Sequence, residues 1–419
     1  MGAMADMSRI AVPAVKRGRL WWGVAGAVAV AACGALTACS PRPPAAEAPP
    51  APASTAAAAP PSSAAPSAPA APSSAPDCVT RTLAGMSVDE RAGQVLMIGT
   101  PVDAPRRLER AVADRHLGGV FLAGRSTRGA AGLRADLAAL RRVGKVTPLI
   151  ALDQEGGSVQ TLKGPDFPLL PSAQRLGRGS PAKLRDTVRD SARRLADIGV
   201  TVNLAPVADT VPVDIAEANP PIGAFHRQYG SEPGAVAADV GTVVAASQGE
   251  GVLTILKHFP GLGRVRANTD VSRDVTDART TADDPYLQPF VAGMKAGSAG
   301  VMMSSARYPR LDRSTIAAFS RPIVTGLLRE RLGYSGLIMS DDLGAADAAA
   351  FVPVGERAVR FVAAGGDLVL TIRPQDAAPM AAALVAEARR SPSFDTRLTD
   401  AARHVLRTKQ RAGVLSCTS

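Results

Sequence analysis

Eight short apolar runs, each followed by a loop and an amphipathic stretch, constrain the fold more than any other feature of the chain. Several runs are continuously apolar, which is typical of strands buried on both faces of a parallel sheet. Eight such units in about 300 residues predict an α/β fold with a single domain. The expected architecture is a (β/α)8 TIM barrel, which can be irregular. The predicted strands are 95–99, 119–123, 149–153, 200–206, 253–258, 300–304, 337–341 and 368–372.

The main alternative is an open, doubly wound sheet, which would carry a glycine-rich phosphate loop after an early strand. The nearest candidate, Gly118-Gly119, precedes its strand instead of following it. We therefore expect the barrel, with helices between its strands. The predicted helical stretches are 127–143, 173–197, 233–249, 284–296, 320–331 and 375–390.

Residues 1–38 have the organisation of an export signal. Three basic residues precede the apolar stretch 20–35, which is too short for a comfortable membrane span. Leu36-Thr-Ala-Cys39 then resembles the bacterial lipobox. This resemblance implies cleavage before Cys39, lipidation of its thiol, and an exported protein anchored to the outer face of the cytoplasmic membrane or cell envelope. An ordinary signal peptide and an uncleaved anchor are the alternatives.

Residues 39–77 are almost wholly Pro, Ala and Ser, a composition that predicts a disordered tether. The folded domain is then 78–419, with Cys78 near its start and Cys417 near its end. In an oxidising compartment these two cysteines are expected to form a disulfide; two free thiols are the alternative.

Composition excludes several classes of function. The net charge of +11 is spread along the chain and aromatic residues make up 4%, so neither a basic stripe nor a set of stacking platforms for nucleic acid is expected. The four histidines form no HxH or HxxxH pair, and the cysteines lack paired ligand spacing, so no metal site is predicted. We expect no cofactor either, because the chemistry considered below uses only side chains and water.

Polar residues cluster where five of the predicted strands end. In a barrel these ends form one shared mouth, so we expect the side chains to converge there. Glycoside hydrolysis needs a carboxylate nucleophile or base and a separate proton donor. Asp341, at the end of a strand, is the best nucleophile candidate, although a cap for the next helix is an alternative role. The strand-end residues are Asp153, Asn203, Asp209, Lys257, His258, Ser304, Ser305, Asp341 and Asp342.

Four motifs, in order along the chain, resemble glycoside hydrolase family 3 and specifically its single-domain bacterial β-N-acetylhexosaminidases. The resemblance implies a retaining mechanism through a glycosyl-aspartate intermediate, with Asp341 as the nucleophile. It also implies that Asp153, Arg227, Lys257 and His258 bind the sugar. The motifs are Asp153-Gln-Glu-Gly-Gly157, Asn203-Leu-Ala-Pro-Val-Ala-Asp209, Lys257-His-Phe-Pro-Gly-Leu-Gly263 and Gly336-Leu-Ile-Met-Ser-Asp-Asp-Leu343.

The chain departs from the family where the acid/base is expected. The usual second histidine of the KHFPGHG motif is Leu262, and the usual Asp-Ser-His reads Asn268-Thr-Asp270. A carboxylic acid is the ordinary proton donor of glycosidases, so Asp270 is the predicted acid/base. Asp274 and Asp277 are further candidates.

The resulting prediction is an exported retaining exo-glycosidase that releases terminal β-linked N-acetylglucosamine from cell-wall (peptidoglycan) fragments or glycoconjugates. Its expected partners are that glycan and, through the lipid anchor, the membrane. Loss of the Asp-His pair leaves two alternatives: a degenerate barrel that binds glycans with little turnover, and a β-glucosidase or phosphorylase of the same family.

Overall fold

A computed structural model describes residues 77–416, and these form a closed barrel of eight parallel strands. Each strand pairs with the next along the chain, and β8 pairs with β1. The predicted TIM barrel is confirmed, and the open doubly wound sheet is excluded. The strands are β1 Leu96–Pro101, β2 Gly119–Ala123, β3 Leu149–Leu152, β4 Val202–Asn203, β5 Leu253–Phe259, β6 Gly300–Met303, β7 Leu337–Asp342 and β8 Leu368–Thr371.

Helices surround the barrel and match the predicted stretches with two exceptions. The stretch 173–197 is two helices, because Ser180 caps a new one by accepting from the Lys183 amide at 3.2 Å and Pro181 follows it. The stretch 320–331 contains a π-helix, Pro322–Arg331. The α-helices are α1 Cys78–Ala84, α2 Val88–Gln94, α3 Glu109–Arg115, α4 Ala130–Arg142, α5 Ala173–Gly177, α6 Pro181–Asp197, α7 Pro233–Gln248, α8 Gln288–Lys295, α9 Val354–Ala364, α10 Ala377–Arg390 and α11 Pro392–Arg411.

The shortest elements fill the loops between the strands and helices. The antiparallel hairpins pair Gln154–Gly156 with Val159–Gln160, and Arg307–Tyr308 with Asp312–Ile316. Short 3-10 helices lie at Pro105–Leu108, Val213–Ala218, Gly223–Phe225, Pro285–Leu287, Ala317–Phe319, Asp347–Ala349 and Pro374–Asp376. Across residues 77–416, no helix has the length and hydropathy needed to cross a membrane.

The barrel interior is a packed apolar core. Alternate strand residues such as Ala151, Ile255 and Met339 belong to one inner cluster, and α11 contributes Val405 to it. The intervening residues, such as Leu152, Leu256 and Ile338, pack instead in the larger cluster that includes helix residues. This alternation decides which residues point toward the barrel axis as each strand reaches its carboxyl end.

Two strands carry an extra residue near their carboxyl ends. In β5, Leu256 pairs with Val301 of β6 and Phe259 pairs with Met303. The chain therefore advances three residues along β5 where it advances two along β6. In β7, Met339 and Asp342 pair with residues two apart in β8. The irregularities contain Lys257, His258 and Asp341. Bulges of this kind redirect side chains and are common beside active sites.

The predictions for the chain ends lie largely outside the described residues. The signal segment 1–38, the lipidation site Cys39 and most of the tether 39–77 are among them. Cys78, at the start of α1, is disulfide-bonded. Cys417 also lies outside the described residues, so its pairing with Cys78 stays a prediction.

Candidate active site

The inward-facing series of three strands continues into the polar residues of the predicted site. Asp153, Lys257 and Asp341 each follow, two residues later, an inner-cluster residue of β3, β5 or β7. Because all eight strands are parallel, their carboxyl ends open at the same mouth. The barrel therefore brings these three predicted residues to one face.

An ion-pair network forms the floor of this mouth. Lys257 Nζ lies 2.6 Å from Asp153 Oδ1 and 2.6 Å from Glu155 Oε1. Arg227 then binds Glu155 with two parallel bonds, from Nε to Oε2 at 2.8 Å and from Nη2 to Oε1 at 2.7 Å. Two carboxylates and two cations balance in charge, so the network neutralises itself without a bound ion. Arg227, one of the predicted sugar-binding residues, is thereby held at this mouth.

Burial and neighbouring charges shift the pKa values of this network in opposite directions. Burial alone would raise the pKa of Glu155, but Arg227 and Lys257 hold it at about 2. Burial alone would lower the pKa of Lys257, but the carboxylates of Asp153 and Glu155 raise it above its ordinary value. Glu155 and Lys257 are therefore both charged at neutral pH. Asp153 is the most accessible group of the network, with 28% of its side chain exposed against 3% for Lys257.

His258 is oriented by a carboxylate that is fully buried. Asp209 Oδ2 lies 2.7 Å from His258 Nδ1, and both Asp209 oxygens accept from the His258 backbone amide at 3.2 Å. The ring nitrogen Nδ1 is thus occupied, which leaves Nε2 for a substrate group. Asp209 also accepts from the Leu262 amide at 2.7 Å, so it ties the histidine to the loop that follows β5.

The two adjacent aspartates at the end of β7 have different roles. Asp342 Oδ1 accepts from the backbone amides of Gly344, Ala345 and Ile372 at 2.9–3.2 Å, so it caps the turn after the strand. Burial raises the pKa of Asp342 to about 6. Asp341 accepts only from the Asp342 amide, at 2.9 Å, among residues 77–416. The capping role considered for Asp341 therefore belongs to Asp342, and an Asp341 oxygen is available to react.

Asp270 lies on the loop after β5, near the other charged groups of the mouth. Desolvation raises the pKa of its carboxyl although the residue itself is exposed, and the negative charge of Asp341 raises it further. Arg227 and His258 act in the opposite direction. These interactions place the carboxyl within electrostatic reach of the proposed nucleophile. A carboxyl whose pKa is raised keeps its proton to a higher pH than a free aspartate does, which is the direction that a proton donor requires.

The other acid/base candidates on the loop do not have these surroundings. Asp277 is buried, and its oxygens accept from the amides of Arg279 and Thr280 and from the Thr280 hydroxyl, at 2.7–3.1 Å. It therefore holds a turn. Asp274 is exposed and accepts only a 3.3 Å bond from Thr276 within the described part of the chain.

Two of the strand-end side chains, those of Asn203 and Ser304, have a structural role. Asn203 exchanges hydrogen bonds with the backbone of Gln154 at 3.0 and 3.1 Å, which supports the loop of Asp153. Ser304 Oγ accepts from the Ala306 amide at 3.0 Å and from the Tyr308 hydroxyl at 3.1 Å. Both side chains are used to hold backbone or neighbouring groups in place.

The sequence gives no role to two residues that complete the site, although Asp209 is among the residues expected at the mouth. Glu155 links the two cations, and Asp209 orients the histidine. Both stand inside motifs that were recognised, but a motif does not indicate which of its acids pairs with which base. No group of three or more potential ligands in 77–416 is arranged to hold a metal ion.

The fold and the mouth together define a class of protein: a TIM-barrel glycoside hydrolase whose mouth holds several carboxyl groups beside a charged, polar floor. Residues 87–408 match the model of the glycosyl hydrolase family 3 N terminal domain. The chain therefore belongs to glycoside hydrolase family 3.

Individual relatives agree with this assignment. A β-hexosaminidase of Xanthomonas axonopodis pv. citri is 34% identical over 253 residues, which are 58% of this chain and 72% of the relative. The crystal structure of a β-N-acetylhexosaminidase from Beutenbergia cavernae is 43% identical, with a TM-score of 0.76, and the match covers 78% of this chain and 99% of that one. A family 3 β-N-acetylglucosaminidase from Paenibacillus is 27% identical, with a TM-score of 0.71 over 80% of this chain and 64% of that one.

Proposed function

We propose that the protein is a retaining β-N-acetylhexosaminidase in which Asp341 is the nucleophile and Asp270 is the acid/base. Family membership and the relatives support the activity class, a glycoside hydrolase that releases N-acetylglucosamine. The observation that carries the assignment of roles is the position of two unequal carboxyls at one mouth. Asp341 has a free oxygen, whereas Asp270 has a raised pKa that Asp341 itself helps to raise.

The two steps of the reaction follow from these roles. In the first, an Asp341 oxygen attacks the anomeric carbon as the glycosidic C–O bond breaks, and Asp270 gives its proton to the departing oxygen. The product is a glycosyl-aspartate ester. In the second step, Asp270 takes a proton from water, whose oxygen attacks the anomeric carbon. The sugar leaves with its original configuration, the Asp341 carboxylate is restored and Asp270 is protonated again.

The floor of the mouth supplies donors and acceptors for sugar hydroxyls. Lys257 has three N–H donors and the network uses two, whereas Arg227 has five and uses three. The exposed part of Asp153 provides acceptors, and His258 Nε2 provides one further contact. Charge-assisted bonds from such groups are stronger than neutral ones, which suits a polyhydroxylated substrate.

We further propose that the substrate is a cell-wall fragment or glycoconjugate and that the protein acts outside the cytoplasmic membrane as a lipoprotein. The basic and apolar N-terminal segment, the lipobox-like sequence before Cys39 and the Pro-, Ala- and Ser-rich tether support this. The disulfide at Cys78 is consistent with an oxidising compartment, and we propose Cys417 as its partner. Labelling with a lipid precursor, with Cys39→Ala as the control, tests the anchor.

A glycan-binding barrel with little turnover remains a second candidate. Residues 259–403 contain no histidine, so the Asp-His pair of the family is absent from this chain. Loss of a proton donor typically reduces rates by about 10²–10⁴-fold. Binding of N-acetylglucosamine oligomers without hydrolysis would favour this candidate.

The test compares chromogenic N-acetylglucosaminides and glucosides, each with a good and a poor leaving group. We expect wild type to prefer the N-acetylglucosaminide and Asp341→Asn to be inactive on every substrate. Asp270→Asn should lose about 10²-fold or more on the poor leaving group and much less on the good one, because only the former needs its proton. Equal losses on both would remove Asp270 from the acid role. No turnover by wild type would remove the enzyme proposal itself.

A further inference from the structure

The loop that carries Asp270, residues 260–277, is fixed at its root by a buried amide from another loop. Asn219 is fully buried, and its Nδ2 donates to the carbonyls of Leu262 at 2.8 Å and Val265 at 2.9 Å. Its Oδ1 accepts from the amides of Ile222 at 3.2 Å and Gly223 at 2.8 Å. All the polar groups of this side chain are therefore engaged, and they join two loops of the mouth.

The partners of Asn219 Oδ1 lead directly to the sugar-binding arginine. The Ile222 carbonyl accepts from the Arg227 amide at 3.1 Å, and the Pro221 carbonyl accepts from Arg227 Nη1 at 2.8 Å. One side of the Asn219 amide thus supports the loop that presents Arg227, and the other side supports the loop that presents Asp270.

Packing around the root reinforces this connection. Leu262 and Val265 are buried, and a side chain at Gly263 would lie 1.8 Å from the Thr210 carbonyl. On the outer side, Arg264 makes two bonds of 2.7 and 2.8 Å to Asp284. The root therefore has little freedom to shift while these contacts are intact.

The tip of the loop is held from the nucleophile's side of the mouth. The carbonyls of Thr269 and Asp270 accept from the backbone amides of Ala348 at 3.1 Å and Asp347 at 3.2 Å. Residues 347 and 348 belong to the segment that follows β7, the strand that ends in the nucleophile. A displaced root would pull on this tip, so the position of the proton donor depends on both attachments.

We propose that Asn219 is a positioning residue that sets the placement of the Asp270 carboxyl relative to the glycosidic oxygen. The inference rests on the proposed acid role of Asp270. Asn219 does not itself reach the reacting atoms, because it is enclosed between backbone groups of the two loops. Proton transfer is sensitive to donor–acceptor distance, so a small shift of the loop lowers the rate for poor leaving groups selectively.

Asn219→Asp is the sharpest variant, because it keeps the shape of the side chain and the Oδ1 acceptor. It replaces the NH2 donor with an oxygen that faces two carbonyls. Asn203→Asp is the matched control: its amide also holds backbone, but in the loop of Asp153. Both variants are assayed with a series of aryl N-acetylglucosaminides of graded leaving-group pKa, beside Asp270→Asn and the Asn219→Asp/Asp270→Asn double variant.

We expect Asn219→Asp to lose about 10–100-fold in kcat/KM on the poorest leaving group and less than about threefold on the best. Asn203→Asp should lose similar factors across the series. On the poor leaving group the double variant should be no slower than Asp270→Asn alone, because both changes remove the same proton transfer. If Asn219→Asp loses activity equally across the series, the residue is only structural and the inference is wrong.

If Asp270 is not the acid, the rates of the variants follow a different pattern. Asp270→Asn would then show no dependence on the leaving group, whatever Asn219→Asp does. Should Asn219→Asp lack a cooperative unfolding transition, Asn219→Ser replaces it, because serine keeps one donor and is smaller. The same selective loss is expected for this variant, and a uniform loss would again overturn the inference.

Discussion

Neutralising Glu155 tests whether the ion-pair network stabilises the barrel mouth. Its pKa is depressed from 4.5 to about 2 by Arg227 and Lys257, against the effect of burial. One pKa unit corresponds to about 1.4 kcal/mol, so the ionised form contributes about 3 kcal/mol to the free energy of unfolding. Because the pKa is lower in the folded protein, this contribution is complete above pH 4.5. It is lost as the pH falls toward 2.

Glu155→Gln has the shape of the protonated side chain, so it removes the charge with little change in packing. We expect it to lower the free energy of unfolding, measured by urea titration, by about 3 kcal/mol at pH 7 and by roughly half as much at pH 3. The exposed Glu217→Gln is the control and should stay within about 0.5 kcal/mol of wild type. A loss of unfolding free energy in Glu155→Gln that is as large at pH 3 as at pH 7 would refute the electrostatic reasoning.

Two further predictions concern buried groups. Asp209→Asn should reduce kcat/KM by about 10–100-fold, because an amide NH2 would face His258 or the Leu262 amide; unchanged kinetics would remove the orienting role. Lys409 is fully buried, its ammonium donates to Gln94 at 2.6 Å as its one side-chain bond within residues 77–416, and burial lowers its pKa to about 7. Because the unfolded chain binds more protons between pH 7 and 10.5, Lys409→Met should raise stability by about 2 kcal/mol at pH 7, even after loss of that bond. The gain should disappear near pH 10, and a pH-independent effect would contradict the assigned cause.

The barrel could be predicted because its signal is local and repeated. Continuous apolar runs identify strands buried on both faces, and the bounds of 119–123 match β2 residue for residue. The break in the predicted helix 173–197 also has a local signal, Gly179-Ser180-Pro181, which is typical of a helix start. The prediction of one continuous helix did not take this signal into account. The π-helix at Pro322–Arg331 had none, since the same side chains fit an ordinary helical period.

The residues of the site were predicted better than their partners. Asp153, Lys257, His258 and Asp341 follow from strand ends, because strand direction alone brings those ends together. Pairing depends on contacts between distant loops: Glu155 and Arg227 are 72 positions apart, and Asn219 lies 43 positions from Leu262. A single sequence does not show which residues of two distant loops are in contact. The one-residue bulges in β5 and β7 were likewise invisible, since an extra residue leaves the apolar pattern unchanged.

In the proposed mechanism, one aspartate can act as both acid and base because the charge beside it changes during the reaction. Desolvation and the negative charge of Asp341 raise the pKa of Asp270, which favours the protonated form that the proposed first step requires. Formation of the glycosyl ester removes the charge of Asp341. Arg227 and His258 still lower the pKa of Asp270, so its value falls and the carboxylate becomes available as a base for water. In the proposed mechanism the nucleophile thus shifts the pKa of its neighbour between the two steps, and this shift requires no histidine on the loop.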